Sequence, residues 1–173
     1  MPSADVSGIL STPVYGEVLT VRHVATVAEL ATARAAAAAQ TAAGWNSTAH
    51  EVADLPGLAL DDVDAVVLWG AGAAAGRDVV AGRRATVVVL DAADVRAVLT
   101  RPARWAAELR RAADTNLLLV PAGLAERYTR WGPPVPLAHR PEGLPGDDAV
   151  TVLSAWTARA YAFGRRPAGQ PAG

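Results

Sequence analysis

The residues best placed for chemistry in this chain are acids at the ends of apolar runs. In ATVVVLDAADV, residues 85–95, the run Val87–Leu90 leads straight into Asp91, and a helical pattern follows. A carboxylate at such a junction has three uses. It accepts backbone N–H bonds and complements the helix dipole, it binds the ribose of a dinucleotide, or it holds a divalent cation. Glu126 in GLAERY, and Asp147 and Asp148 ahead of the last apolar helix pattern, occupy comparable places. Carboxylates gathered from such ends would hold Mg²⁺ or Mn²⁺, activate water and stabilise the charge that develops on a phosphodiester. Capping alone also accounts for Asp91, Asp94, Asp147 and Asp148.

A second set is made of glycines. VVLWGAGAAAGRDVVAGRRATVVVLD reads as strand, Gly70-x-Gly72, helix, strand, acid. Glycines there let a backbone approach a pyrophosphate at a helix N-terminus, while Asp91, 21 residues after Gly70, takes the ribose hydroxyls. Position 75, where the third glycine or an alanine is expected, is Ala, and Gly76 follows it. The same stretch also reads as a Gly/Ala-rich turn with no ligand. Gly70, Gly72, Gly76 and Asp91 are the candidate cofactor-binding residues.

The order of TVVVLDAADVRAVL and NLLLVPAGLAERY resembles the opening of a PIN-domain ribonuclease, over residues ~85–160. The shared grammar is an apolar strand ending in Asp, a helical pair, a second apolar strand, and a helix opening on Leu-Ala-Glu. The resemblance implies a PIN-like fold and a metal-dependent ribonuclease, active or degenerate. Asp91 would match the first metal-binding acid and Glu126 the second, with Asp147 or Asp148 as the third by context. It implies Mg²⁺ or Mn²⁺ held by Asp91, Glu126 and Asp148, and RNA as substrate.

Two stretches mix arginine with aromatic residues. RPARWAAELRRAAD carries Arg101, Arg104, Arg110 and Arg111 around Trp105, and RYTRWGPP carries Arg127, Tyr128, Arg130 and Trp131. Arginine for phosphate and tryptophan for stacking would suit RNA. Equally, the first stretch is an amphipathic helix burying Trp105 and Leu109 at i, i+4. The three histidines, His23, His50 and His139, never pair at helical ligand spacing. His23 reads as a core residue or, less simply, as a base. No G-x-S-x-G elbow is present.

Composition excludes much else. All 16 basic residues are arginine, so a phosphate-loop lysine and a Schiff base are impossible. Without cysteine there is no disulfide, thiolate nucleophile or zinc ribbon. A formal charge of −1 exerts no global pull on nucleic acid or membrane. The apolar runs fall short of a membrane span, and MPSADVSGILSTP lacks the marks of a signal peptide, so a cytoplasmic protein is expected.

These side chains need elements to position them. Strands are expected at 14–24, 64–70, 85–91 and 116–123, with a last one at 135–139. A T-x-x-E capping box, Thr26 and Glu29, should open a helix ending at Gly44. Residues 44–62 read mostly as loop with a short extended piece, and 71–84 as a short helix or turn-rich connection. A helix after Asp91 should break at Pro102. Helices over LAERYTRWG and 149–166 complete the pattern. Continuous apolar strands alternating with helices predict an α/β fold: a mostly parallel sheet of 4–5 strands with helices on both faces, a Rossmann-like or PIN-like three-layer arrangement, with 85–90 central. Residues 14–166 form one domain, with subregions 14–62 and 63–166, between a flexible arm (1–13) and a disordered tail (167–173). With no complete catalytic set, and an alanine face over 31–43, the expected function is a non-catalytic subunit or scaffold. It would assemble with a protein partner or as a homo-oligomer. A nucleotide-binding module at Gly70–Gly76 and the PIN-like nuclease are the alternatives.

Overall fold

The computed structural model describes residues 18–80 and 85–164. The expected arm, the start of the first expected strand (14–17) and the expected tail lie outside the described residues. Six parallel strands form one sheet: β1 (Thr20–Ala25), β2 (Asn46–Glu51), β3 (Ala65–Trp69), β4 (Ala85–Val89), β5 (Leu117–Val120) and β6 (Leu137–His139). Their order is β2-β1-β3-β4-β5-β6. Seven described α-helices connect or follow them: α1 (Leu30–Ala42), α2 (Ala71–Ala74), α3 (Arg77–Val80), α4 (Ala92–Thr100), α5 (Pro102–Arg111), α6 (Ala122–Trp131) and α7 (Asp147–Gly164). None of the described helices is long and apolar enough to cross a membrane.

Alternation along each strand divides the core in two. Val21, Ala25, Val67, Trp69, Val87, Val89 and Leu119 face α1 and α7. Val24, Val66, Leu68, Val88, Leu118 and Val120 face the layer that includes α2, α3, α4 and α6. Both sides of β3, β4 and β5 are therefore buried, which is why they read as unbroken apolar runs. β4 is an inner strand, as the sequence predicts.

The sheet has one strand more than the expected maximum of five. The addition is β2, NSTAHE, in the segment expected to be mostly loop. It pairs only with β1, at the sheet edge, and its burial is partial, so no apolar pattern marks it. Gly44 ends α1 with φ +98°. The Trp45 N–H bonds to the Gln40 carbonyl and the Gly44 N–H to that of Thr41, a Schellman closure.

Three local expectations are corrected. The Thr26–Glu29 capping box does not form: α1 starts at Leu30 without a side-chain cap, and the Glu29 carboxylate pairs with Arg140. Leu109 is 42 % exposed, whereas its neighbour Glu108 is buried. Of the alanine face, Ala33, Ala36 and Ala37 are spent inside the molecule. Pro102 does break the helix, standing at the start of α5 after an extended Arg101.

Candidate functional site

The crossovers set where a ligand would meet this fold. β1 leads through α1 to β2 on one side, whereas β3 leads through α2 and α3 to β4 on the other. The loops behind β1 and β3 thus part at adjacent strands, and in open parallel sheets ligands bind outside the strand C-termini at such a switch point. Here that edge carries Thr26 and Glu29 after β1, Gly70–Gly72 after β3, Asp91 and Asp94 after β4, and Arg140 after β6.

Asp91 is the N-cap of α4. Its Oδ1 accepts the Asp94 N–H at 2.7 Å, with extended backbone at φ −87°, ψ 178°. Asp94 in turn accepts the Ala71 N–H through Oδ2 at 3.2 Å, tying α4 to the glycine loop. Burial, then the neighbouring Asp91 charge, raise the Asp94 carboxyl above its usual range, against the two backbone bonds that lower it.

The glycines are close-packing positions. Gly70 has φ +88° and ψ 159°, a conformation almost confined to glycine. A Cβ on Gly70 would lie 2.9 Å from Thr26 Oγ1, one on Gly72 3.0 Å from Thr26 Cγ2, and one on Gly76 2.6 Å from Leu55 Cδ2. The Cβ directions of Gly70 and Gly72 both run into the Thr26 side chain, so the glycine loop packs closely against the residue that follows β1. Gly70→Ala is expected to destabilise the ligand-free protein by about 1–3 kcal/mol from backbone strain alone. Urea denaturation measures this, and wild-type stability in the variant would refute the packing account.

Arg140 crosses this edge. Its Nη1 and Nη2 reach Glu29 Oε1 and Oε2 at 2.9 and 3.1 Å. Its Cζ lies 5.8 Å from the centre of the buried Trp69 ring. The pair bridges 111 residues of sequence, and no local pattern could have signalled it.

Glu126 is exposed on α6, and Asp147 and Asp148 are exposed in the first turn of α7. Among the described residues no group of three or more histidines and acids is arranged to hold a metal ion. His50 lies on β2 and His139 is exposed on β6.

His23 is a core residue. Its Nδ1 accepts the Trp69 indole N–H at 2.9 Å, so Nε2 carries the proton and donates to Gln40 Oε1 at 2.8 Å. Ser47 donates to the same oxygen, and the Gln40 amide donates to Ser154. Burial lowers the imidazole from 6.5 to about 4, so it stays neutral near pH 7 and is no base for an outside substrate.

On the other side of the sheet the Arg77 guanidinium pairs with Glu108. It also donates to Thr115 Oγ1 at 2.7 Å and the Ala74 carbonyl at 2.8 Å. Burial and the Glu108 charge push the Tyr128 phenol well above its usual range. Tyr128 is therefore part of the core, not of an aromatic surface.

No protein-family model, curated protein or solved structure matches this chain.

Proposed function

We propose that the chain is a non-catalytic α/β subunit or scaffold that acts by assembling with a protein partner or with copies of itself. One observation carries this reading: the charged groups at the switch-point edge already hold the fold together. Asp91 caps α4, Asp94 holds the glycine loop, and Glu29 and Arg140 hold each other. Asp91 is engaged through Oδ1 and Asp94 through Oδ2, while the Glu29 carboxylate and the Arg140 guanidinium engage each other through both oxygens and both terminal nitrogens. The surface, by contrast, presents large apolar side chains to solvent, among them Val27, Val79 and Trp131.

Thermal melting separates this reading from the nuclease and nucleotide-binding alternatives. Asp91→Asn should be nearly neutral, because asparagine caps nearly as well as aspartate. Neither Mn²⁺ nor NAD(H), NADP(H), FAD or ATP should raise the wild-type melting temperature. A rise with Mn²⁺ that Asp91→Asn abolishes would replace this reading with a PIN-like metal site. A rise with a nucleotide would replace it with a ligand site at Gly70–Gly76. For assembly, light scattering at micromolar concentration should give a mass above the monomer. A strict monomer from which no defined partner is recovered would count against it.

A further inference from the structure

Folding brings together the two arginine–tryptophan stretches that the sequence keeps apart. The Trp105 indole N–H donates to the Trp131 carbonyl at 2.9 Å, joining the start of α5 to the end of α6. Leu99 at the end of α4, Arg127 and Trp131 line a recess of about 330 Å³ beside this contact. Trp131 is 66 % exposed, a high value for the largest side chain, and the Arg130 Cζ stands 6.0 Å from its ring centre. Arg101, Arg104, Arg127 and Arg130 are all exposed. Among the described residues the ion pairs are Arg77–Glu108 and Arg140–Glu29, so none of these four arginines is neutralised by a carboxylate at contact distance. Glu108, the one acid of α5, faces inward to Arg77. The exposed acid on α6 is Glu126. In a chain of formal charge −1, this is a local concentration of positive charge around a solvent-facing indole.

We propose that the α4–α5–α6 face binds single-stranded nucleic acid, with Trp131 stacking on an unpaired base and Arg101, Arg104, Arg127 and Arg130 contacting the flanking phosphates. Charge complementarity selects a polyanion. The exposed indole selects one with flat, unpaired π-faces over an acidic polypeptide, because stacking on an aromatic side chain is the sequence-tolerant contact of single strands. Guanidinium groups match phosphate oxygens in pairs and also stack. A duplex offers the phosphates but keeps its bases buried. This goes beyond assembly with protein, and it rests on the non-catalytic reading only in expecting the strand to remain intact.

The test is fluorescence anisotropy of the full chain with a labelled single-stranded RNA or DNA oligonucleotide of mixed sequence, in EDTA. Binding should weaken with salt, with a slope of log K against log salt of roughly −2 to −3 for four phosphate contacts. Trp131→Ala should weaken binding at least about fivefold. Arg104→Glu with Arg127→Glu should abolish it. Both sites are exposed, so the variants should melt like wild type. Arg34→Glu, on α1 across the sheet, should bind as wild type does. RNA against DNA distinguishes the two sources of the strand. No binding, equal binding of the duplex, or indifference to Trp131→Ala would overturn the proposal. Displacement of the oligonucleotide by polyglutamate with no dependence on Trp131 would reassign the face to an acidic protein. Failure of the non-catalytic reading has a separate signature: the RNA binds in EDTA but is cut when Mn²⁺ is added, and Asp91→Asn stops the cutting.

Discussion

Glu108→Ala is expected to destabilise the protein by about 3–5 kcal/mol. The Arg77 side chain is buried and charged, and its main counter-charge is Glu108. Removing the carboxylate leaves a guanidinium in a low-dielectric layer with only Thr115 and the Ala74 carbonyl to hold it. Arg77→Ala should cost a similar amount, because it leaves the carboxylate uncompensated. The double variant Arg77→Met with Glu108→Leu should recover most of the loss or exceed wild type, since apolar side chains of similar volume replace a desolvated ion pair at little cost. Urea denaturation of the two single variants and the double variant closes the cycle. A loss below about 1 kcal/mol for Glu108→Ala would mean that water reaches Arg77 and that the pair is not a structural centre of this layer.

The second large effect depends on pH. In the unfolded chain His23 titrates near 6.5, and in the folded protein at about 4. Between these values the unfolded state binds more protons, so stability rises with pH. The contribution is complete above about pH 7, falls by about 3 kcal/mol as pH drops from 6.5 to about 4, and changes no further below that. His23→Gln removes the titrating ring but keeps an acceptor for the Trp69 N–H. It should cost about 1–3 kcal/mol at pH 7. That deficit should shrink to nothing or reverse near pH 4.5, because only the wild type carries the protonation penalty. Carboxylates also titrate in this range, so the difference between wild type and variant is the quantity to follow. Parallel pH profiles would show that the His23–Trp69–Gln40 network admits water.

Features that depend on neighbours along the chain are legible in the residues alone. Val87–Leu90 had to be an inner strand, because nothing in it would be satisfied by water. Pro102 had to start a new helix, because it lacks the N–H and crowds the preceding turn. Asp91 was legible as a cap because its partner, the Asp94 N–H, lies three residues away. The absence of lysine and cysteine closed several chemistries before any fold was known.

Features that depend on partners distant in the chain emerge with the fold. β2 is a strand because β1 offers it an edge, although its polar residues carry no strand pattern. Helix periodicity favoured Leu109 as the buried residue of α5, but Arg77 draws Glu108 inward from 31 residues away. Glu29 had the spacing of a capping box and instead pairs with Arg140 across the sheet edge. Gly70 and Gly72 read as space for a phosphate, and folding set Thr26 against them. For β2, Glu108 and Glu29 the strand order brings in the decisive partner, and a buried charge or an unpaired backbone group outweighs local preference because desolvation costs more than a few tenths of a kcal/mol of propensity.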